Sequence, residues 1–345
     1  MNREKLITDK ENRMNKATVN LSQLTSTDLM MTFSKKLLST IINVMLLPVI
    51  GITIFLFLWS ISAQSIHTSL GTFPGPNAVV QQFSSLYDEH VVEREKAEAF
   101  YQRQEKRNVA KQEKNPNYVG KIRAYTGKET FFDQILTSLF TVTCGFLVAA
   151  IIAIPLGIWM GLNKRLNSAI NPIVQIFKPV SPLAWLPLVT MVVSALYISD
   201  DPMVSKSFLT SLITVSLCSL WPMVINTSIG VSSIDSDLLN VSKVLRLPTL
   251  MHIQKIVIPA SIPMIFTGMR LSFGVAWMVL IAAEMLAQNP GLGKFVWDEF
   301  QNGSSDSLAR IMAAVIVIGF IGFLLDRAML ELQRKVSWDK SSASV

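Results

Sequence analysis

The chain has 345 residues, of which 50% are hydrophobic and only 16% charged, with a formal net charge of +7. A soluble domain carries closer to a quarter charged residues. Most of the charge also lies in the N-terminal segment, one block near residues 88–129 and a few short loops, so the apolar stretches between them read as membrane spans. The two cysteines, Cys144 and Cys218, lie inside apolar runs, and neither CxxC nor a His/Cys cluster is present, which argues against a metal or redox site.

In chain order, residues 1–40 are polar and read as a cytoplasmic tail, with no cleavable signal sequence at the start. The first span is expected over Ile41–Ile61, within a segment bounded at 41–63. Lys35 and Lys36 before it place the N-terminal side in the cytoplasm. Residues 64–131 read as an extracytoplasmic segment. There Phe73-Pro74-Gly75-Pro76-Asn77 breaks the chain, and Val79, Val80, Phe83 and Leu86 recur at helical spacing, which predicts a short amphipathic surface helix. The charged block at 88–129 is nearly balanced in sign and reads as solvated helix and loop, broken at Asn115-Pro116-Asn117.

Residues 132–332 carry five more expected spans, Ile135–Met160, Val180–Ile198, Phe208–Ile229, Met264–Leu286 and Leu308–Leu330. Each has roughly the twenty apolar residues that cross a hydrocarbon core. Pro182, Pro187 and Pro222 lie inside them, as in the broken helices of transporters, although ordinary spans also tolerate proline. Residues 333–345 form a basic tail, and six spans place both termini in the cytoplasm. The expected fold is therefore all-α and polytopic.

The segment at 230–262 is too polar to span and too long for a turn. Ser236-Asp237 can cap a first short helix, Leu247-Pro248 stops it, and a second, with Ile253, Ile256, Val257 and Ile258, is expected to end near Pro259. Its spacing resembles the conserved cytoplasmic loop of ATP-binding-cassette importer permeases: Glu-Ala-Ala, three residues, Gly, nine residues, then Ile-x-Leu-Pro. Asn240, Val241 and Ser242 take the first three places, Arg246 the glycine place, and Ile256, Ile258 and Pro259 the last ones. The spacing fits while Glu, Ala and Gly are replaced by Asn, Val and Arg.

Other segments narrow the resemblance. Phe73-Pro74-Gly75-Pro76 with its amphipathic helix, Thr267-Gly268-Met269-Arg270, Ala276-Trp277, Ala282-Ala283-Glu284-Met285-Leu286 and Gly291-Leu292-Gly293 together resemble the nitrate, sulfonate, taurine and bicarbonate branch. They are most similar to nitrate-type permeases.

The resemblance implies a type I permease fold and a chain that is not itself an enzyme. It implies import of a small inorganic anion, most simply nitrate or nitrite, with sulfonate, taurine or bicarbonate as alternatives in the same branch. It also implies two cytoplasmic ATPase subunits, an extracytoplasmic solute-binding protein, a second permease subunit (most simply a second copy), and a place in the bacterial inner membrane. No GxxxxGK[ST] sequence is present, so ATP and Mg are expected on the partners, not here. Asn240, Val241, Ser242, Leu245, Arg246, Ile256, Ile258 and Pro259 are the implied coupling residues. Arg270, Trp277 and Glu284 are the pathway or gating candidates. Arg270 reads either as a fixed charge along an anion path or as a headgroup anchor, Glu284 as a pairing or gating group, and Trp277 as core packing or path lining. An ion-gradient-driven transporter remains the competing reading, although neither mid-membrane acids nor repeated halves are evident.

Overall fold

A computed structural model describes residues 46–68, 71–115, 118–198, 204–304 and 306–336. The expected tail at 1–40, residues 337–345 of the expected tail at 333–345, and the first residues of the first span lie outside them. The chain divides after His67 into two compact units. The first contributes α1, Leu47–Ser65, an apolar helix long enough to span, with Pro48 in its first turn, where a missing N–H costs nothing.

The second unit is helical after two two-residue β segments, His67–Thr68 (β1) and Gly71–Thr72 (β2), the first of which starts at the unit boundary. α2, Pro76–Lys114, is far longer than the short surface helix expected, because no breaker interrupts the charged block before Asn115. Its first turns pack on the start of α3 (Phe131–Leu162), with Phe83 edge-on to Phe131, Tyr87 edge-on to Phe132, and His90 Nδ1 2.7 Å from Thr130 Oγ1. Thr130 caps α3 in a reciprocal box with Asp133, and Asp133 also pairs with Arg94 of α2.

Residues 118–130 then run back along α2. The Gln104 side chain both donates to Arg123 O and accepts from Arg123 N–H, Asn108 donates to Lys121 O, and Tyr101 accepts from Tyr125 N–H. The Tyr125 hydroxyl donates to Glu93 at 2.8 Å. That bond holds the Glu93 carboxyl below its usual range and raises the Tyr125 phenol.

Over the expected third span, Val180–Ile198, the structure has α5 (Pro182–Leu196), preceded by a further helix, α4 (Lys164–Phe177). They meet at 101°. Pro182 stands at the first position of α5 instead of inside it, and Ser181 caps it. At about 1.5 Å per residue, fifteen residues reach only about 22 Å, less than a bilayer core. Among the described residues five helices can cross a membrane, or six if this bent pair is one broken span.

α6 (Lys206–Ser232) is the central helix. Thr210, Ser211, Thr214, Ser219, Thr227 and Gly230 are buried along it. α3 lies on one side and α9 (Ile258–Ala287) on another. In lipid, helices associate through close packing and shared hydrogen bonds, because hydrocarbon supplies no hydrophobic drive. The small residues provide both. Gly157 of α3 meets Thr227 and the Val224 carbonyl, Gly161 meets Val231, Gly268 of α9 meets Asn226, and Ser216 Oγ donates across to Gly145 O at 2.8 Å. Phe146, Ala153, Met160, Met223, Val224 and Met329 fill the space between. α10 (Leu292–Asn302) and α11 (Ser307–Val336) complete the unit. Arg310 of α11 joins Glu299 of α10 and Glu89 of α2.

A methyl group at Gly157 would sit 2.6 Å from Thr227 Cβ, whereas one at Gly274 meets nothing within 4 Å. Gly157→Ala is expected to destabilise by about 1–3 kcal/mol through overpacking, while Gly274→Ala is neutral or slightly stabilising. Thermal unfolding of the two variants in detergent checks this contrast.

Candidate coupling site and membrane-embedded charges

α6 ends at Ser232, and the chain leaves the bundle through a short polar link into α7, Ser236–Val244. The N-cap is Asp235, not Ser236-Asp237. Its carboxyl accepts the Asp237 N–H at 3.0 Å, so the helix begins one residue earlier than expected. α7 ends in a Schellman turn. Leu247 N–H donates to Ser242 O, and Arg246 N–H to Lys243 O. That turn needs a left-handed residue, and Arg246 supplies it with φ of 48°. This is the position where the related loop carries glycine, so the sequence departure falls where the backbone demands the most of a side chain. Holding a non-glycine residue there costs roughly 1–2 kcal/mol.

Pro248 precedes α8, Thr249–His252. The second loop helix does not end near Pro259, as expected from the proline. Residues 253–257 form a π turn in which Ile258 N–H reaches back five residues to Ile253 O, and α9 continues directly through Pro259 and Pro263. The wider turn absorbs the N–H that Pro259 lacks. Ser261 Oγ covers the Val257 carbonyl and Thr267 Oγ1 the Pro263 carbonyl. From Thr249 to Ala287 the chain is thus one 39-residue helical rod.

The structure brings the sequence-predicted loop residues together, with two orientations. Ser242 is buried and lies 2.7 Å from His252 Nδ1, locking α7 against α8. Ile253 and Ile258 pack on Ile158, Val231 and Val257, at the adjoining ends of α3 and α6. Ile256 is half-buried. Asn240, Arg246 and Pro259 are exposed. So is an apolar row: Val241 at 50%, Val244 at 81%, Leu245 at 63% and Leu250 at 68%. His252 had no role in the sequence reading, because its partner is ten residues away across a turn.

Both charged candidates within the helices have partners, Arg270 a carboxylate and Glu284 neutral hydrogen-bond donors. Arg270 donates to both carboxyl oxygens of Asp326 on α11, at 2.6 and 2.9 Å. The pair borders a cleft of about 460 Å³ with Thr267, Gly274 and Gln333. Its net charge is zero, so Arg270 is not a lone fixed cation. Glu284 is fully buried. Ser138 Oγ of α3 lies 2.8 Å from both its oxygens, and Gly293 N–H donates at 3.0 Å. Ser138 in turn accepts the Leu292 N–H. The carboxyl group and Ser138 together cap α10, Glu284 taking the Gly293 N–H and Ser138 the Leu292 N–H that a helix start leaves open. Side chains at Gly291 or Gly293 would collide with Glu284, and at Gly293 also with the Ile281 carbonyl, which explains the Gly-Leu-Gly sequence. Trp277 is buried and donates Nε1–H to Ile318 O, tying α9 to α11. Asp326 and Ser138 were missed because nothing local marks a partner 56 or 146 residues away.

Residues 153–338 match the family model described as the binding-protein-dependent transport system inner membrane component. The nitrate import permease protein NrtB of Synechococcus elongatus is 35% identical over 219 residues, covering 61% of this chain and 75% of that protein. The bicarbonate transport system permease protein CmpB of the same species is 34% identical over 290 residues, covering 84% and 88%. The fold is similar to that of a chain in an inward facing structure of the MetNI methionine ABC transporter. The TM-score is 0.51 and the identity 12%, with 60% of this chain and 95% of that one covered.

Two substitutions test these local assignments by thermal unfolding in detergent. Arg246→Gly is expected to raise stability by up to about 1 kcal/mol, by relieving the left-handed backbone. Glu284→Ala is expected to lower it by on the order of 3 kcal/mol, since it orphans the Ser138 hydroxyl and the Gly293 N–H in a buried site.

Proposed function

Because this chain belongs to the binding-protein-dependent transport system inner membrane component family, we propose that it forms the membrane path of an ATP-driven importer of a small inorganic anion, nitrate or nitrite. Family membership makes it a multi-pass transport subunit of an ABC importer and not an enzyme. ATP hydrolysis is carried out by partner ATPases, and a solute-binding protein delivers the cargo. Nitrate draws its support from the NrtB match together with the segments that resemble nitrate-type permeases. Bicarbonate is the second reading, favoured by the longer coverage of the CmpB match.

The observation that carries the mechanism is the exposed apolar row on α7 and α8, joined without a break to α9. Exposed apolar patches mark surfaces that a partner covers. In this reading Val241, Val244, Leu245 and Leu250 seat in the ATPase, with Asn240 and Arg246 at the edge. The Ser242–His252 bond keeps α7 and α8 moving together. Closure of two ATPases on ATP would displace the knob, and the rod from Thr249 to Ala287 would carry that displacement to α11 through Trp277 and Arg270–Asp326.

Two copies of the chain would enclose the path. Residues 1–40 and 333–345 would lie in the cytoplasm and 64–131 outside, in the bacterial inner membrane. ATP and Mg would be held by the partners alone. An anion path suits hydrogen-bond donors better than carboxylates. The buried indole N–H groups of Trp185 and Trp221 find no acceptor among the described residues, and both rings pack on Phe177. We assign them to the path ahead of Glu284.

Reconstituted transporter with its solute-binding protein should take up labelled nitrate in an ATP-dependent way. Uptake of bicarbonate without nitrate would replace the substrate assignment, and uptake driven by a proton gradient without ATP would remove the mechanism. Val241→Glu with Leu245→Glu should abolish uptake and ATPase co-purification while membrane insertion and thermal stability persist. Normal uptake in the double variant would refute the coupling surface.

A further inference from the structure

The arm formed by α2 and the returning segment 118–130 lies outside the family-matched residues, yet it is built with care. Its inner part is fixed to the bundle by Arg94–Asp133, by His90–Thr130 and by Arg310, which joins Glu89 to Glu299. Its outer part carries a cleft of about 590 Å³ lined by Arg103, Arg107, Lys111, Lys121 and Arg123, with Phe100 at its edge. Arg103, Arg107 and Lys111 recur every four residues on one helix face, and Lys121 and Arg123 are added by the returning segment. All five are exposed, and none forms an ion pair among the described residues. No carboxylate lines the cleft. Like charges four residues apart repel, so this face is unfavourable for the arm by itself and calls for an anionic counter-surface.

The position of the arm selects that surface. α2 packs on the Phe131 end of α3, whereas the coupling knob follows the end of α6 that packs on Gly161 and Val257. A 32-residue helix separates the two ends, a distance of about 48 Å at 1.5 Å per residue and therefore more than a membrane core. If the knob meets the ATPase inside, the arm stands outside, on the side from which the solute-binding protein approaches.

We propose that the basic cleft of the arm is a docking site for an acidic face of that solute-binding protein, additional to the mouth of the path. Through Arg310 the docked arm bears directly on α10 and α11. This inference rests on the permease reading above.

The test uses the full transporter in nanodiscs of zwitterionic lipid, titrated with its own solute-binding protein. The charge-reversed variant Arg103→Glu/Arg107→Glu/Lys111→Glu should bind at least about tenfold more weakly at low ionic strength, and the wild-type affinity should fall as salt is raised. The charge-preserving variant Arg103→Lys/Arg107→Lys/Lys111→Arg should bind like wild type, which separates docking from loss of the arm's structure. Equal affinity in wild type and the charge-reversed variant overturns the proposal. So does a variant that binds the protein normally but loses only its attachment to vesicles containing anionic lipid, since the cleft would then serve a membrane surface. At saturating binding protein the variant should still show stimulated ATP hydrolysis. If even the wild type shows no stimulation, it is the permease reading that has failed.

Discussion

The close approach of α6 to α3 and α9 is the constraint on which the rest depends. Hydrocarbon offers a helix no reason to leave lipid for another helix, so association rests on contact and on hydrogen bonds between neighbours. Gly145, Gly157 and Gly161 on α3 and Gly268 on α9 bring the backbones near enough for both, and Ser216 of α6 donates across to the Gly145 carbonyl, while Thr214 and Ser219 bond back to their own helix. The coupling knob is strung between the C-terminal end of α6 and the start of α9. α7 and α8 are thus connected directly to the most closely packed helices of the bundle.

Rigidity is built into the loop in an unusual way. The helix stop at Arg246 is left-handed without a glycine, and the proline that should end the next helix is carried by a π turn. The first holds strain at an exposed position of the loop. The second turns what reads as a loop into the first turns of a membrane rod. Strained backbone and π turns both gather at functional positions, and here they flank the exposed apolar row.

The intramembrane charges do a different job from the one their residue types suggest. Arg270 is neutralised by Asp326, and Glu284 serves the N-terminus of α10. Each adds a polar link between elements, Arg270–Asp326 beside the Trp277–Ile318 bond and Glu284 beside the Ser138–Leu292 bond. On the arm, by contrast, Arg103, Arg107, Lys111, Lys121 and Arg123 line one cleft with no carboxylate among them.

The sequence by itself determined the class of the protein. Apolar runs of membrane length, the spacing of the loop from Asn240 to Pro259 and the Gly-Leu-Gly after α9 were legible, because they depend on local composition and fixed offsets. Four features were not. The helix α4 before the third span, and its 101° bend to α5, went unread, since Pro182 fits the start of a helix as readily as its interior. The second loop helix ran through Pro259, because a π turn leaves no signature in residue type. α2 ran on to Lys114 because balanced charge is compatible with either helix or loop. The partners of Arg270, Glu284 and Ser242 were decided only by tertiary structure, as pairing is a property of distance in space, and helices that meet face to face can be a hundred residues apart along the chain.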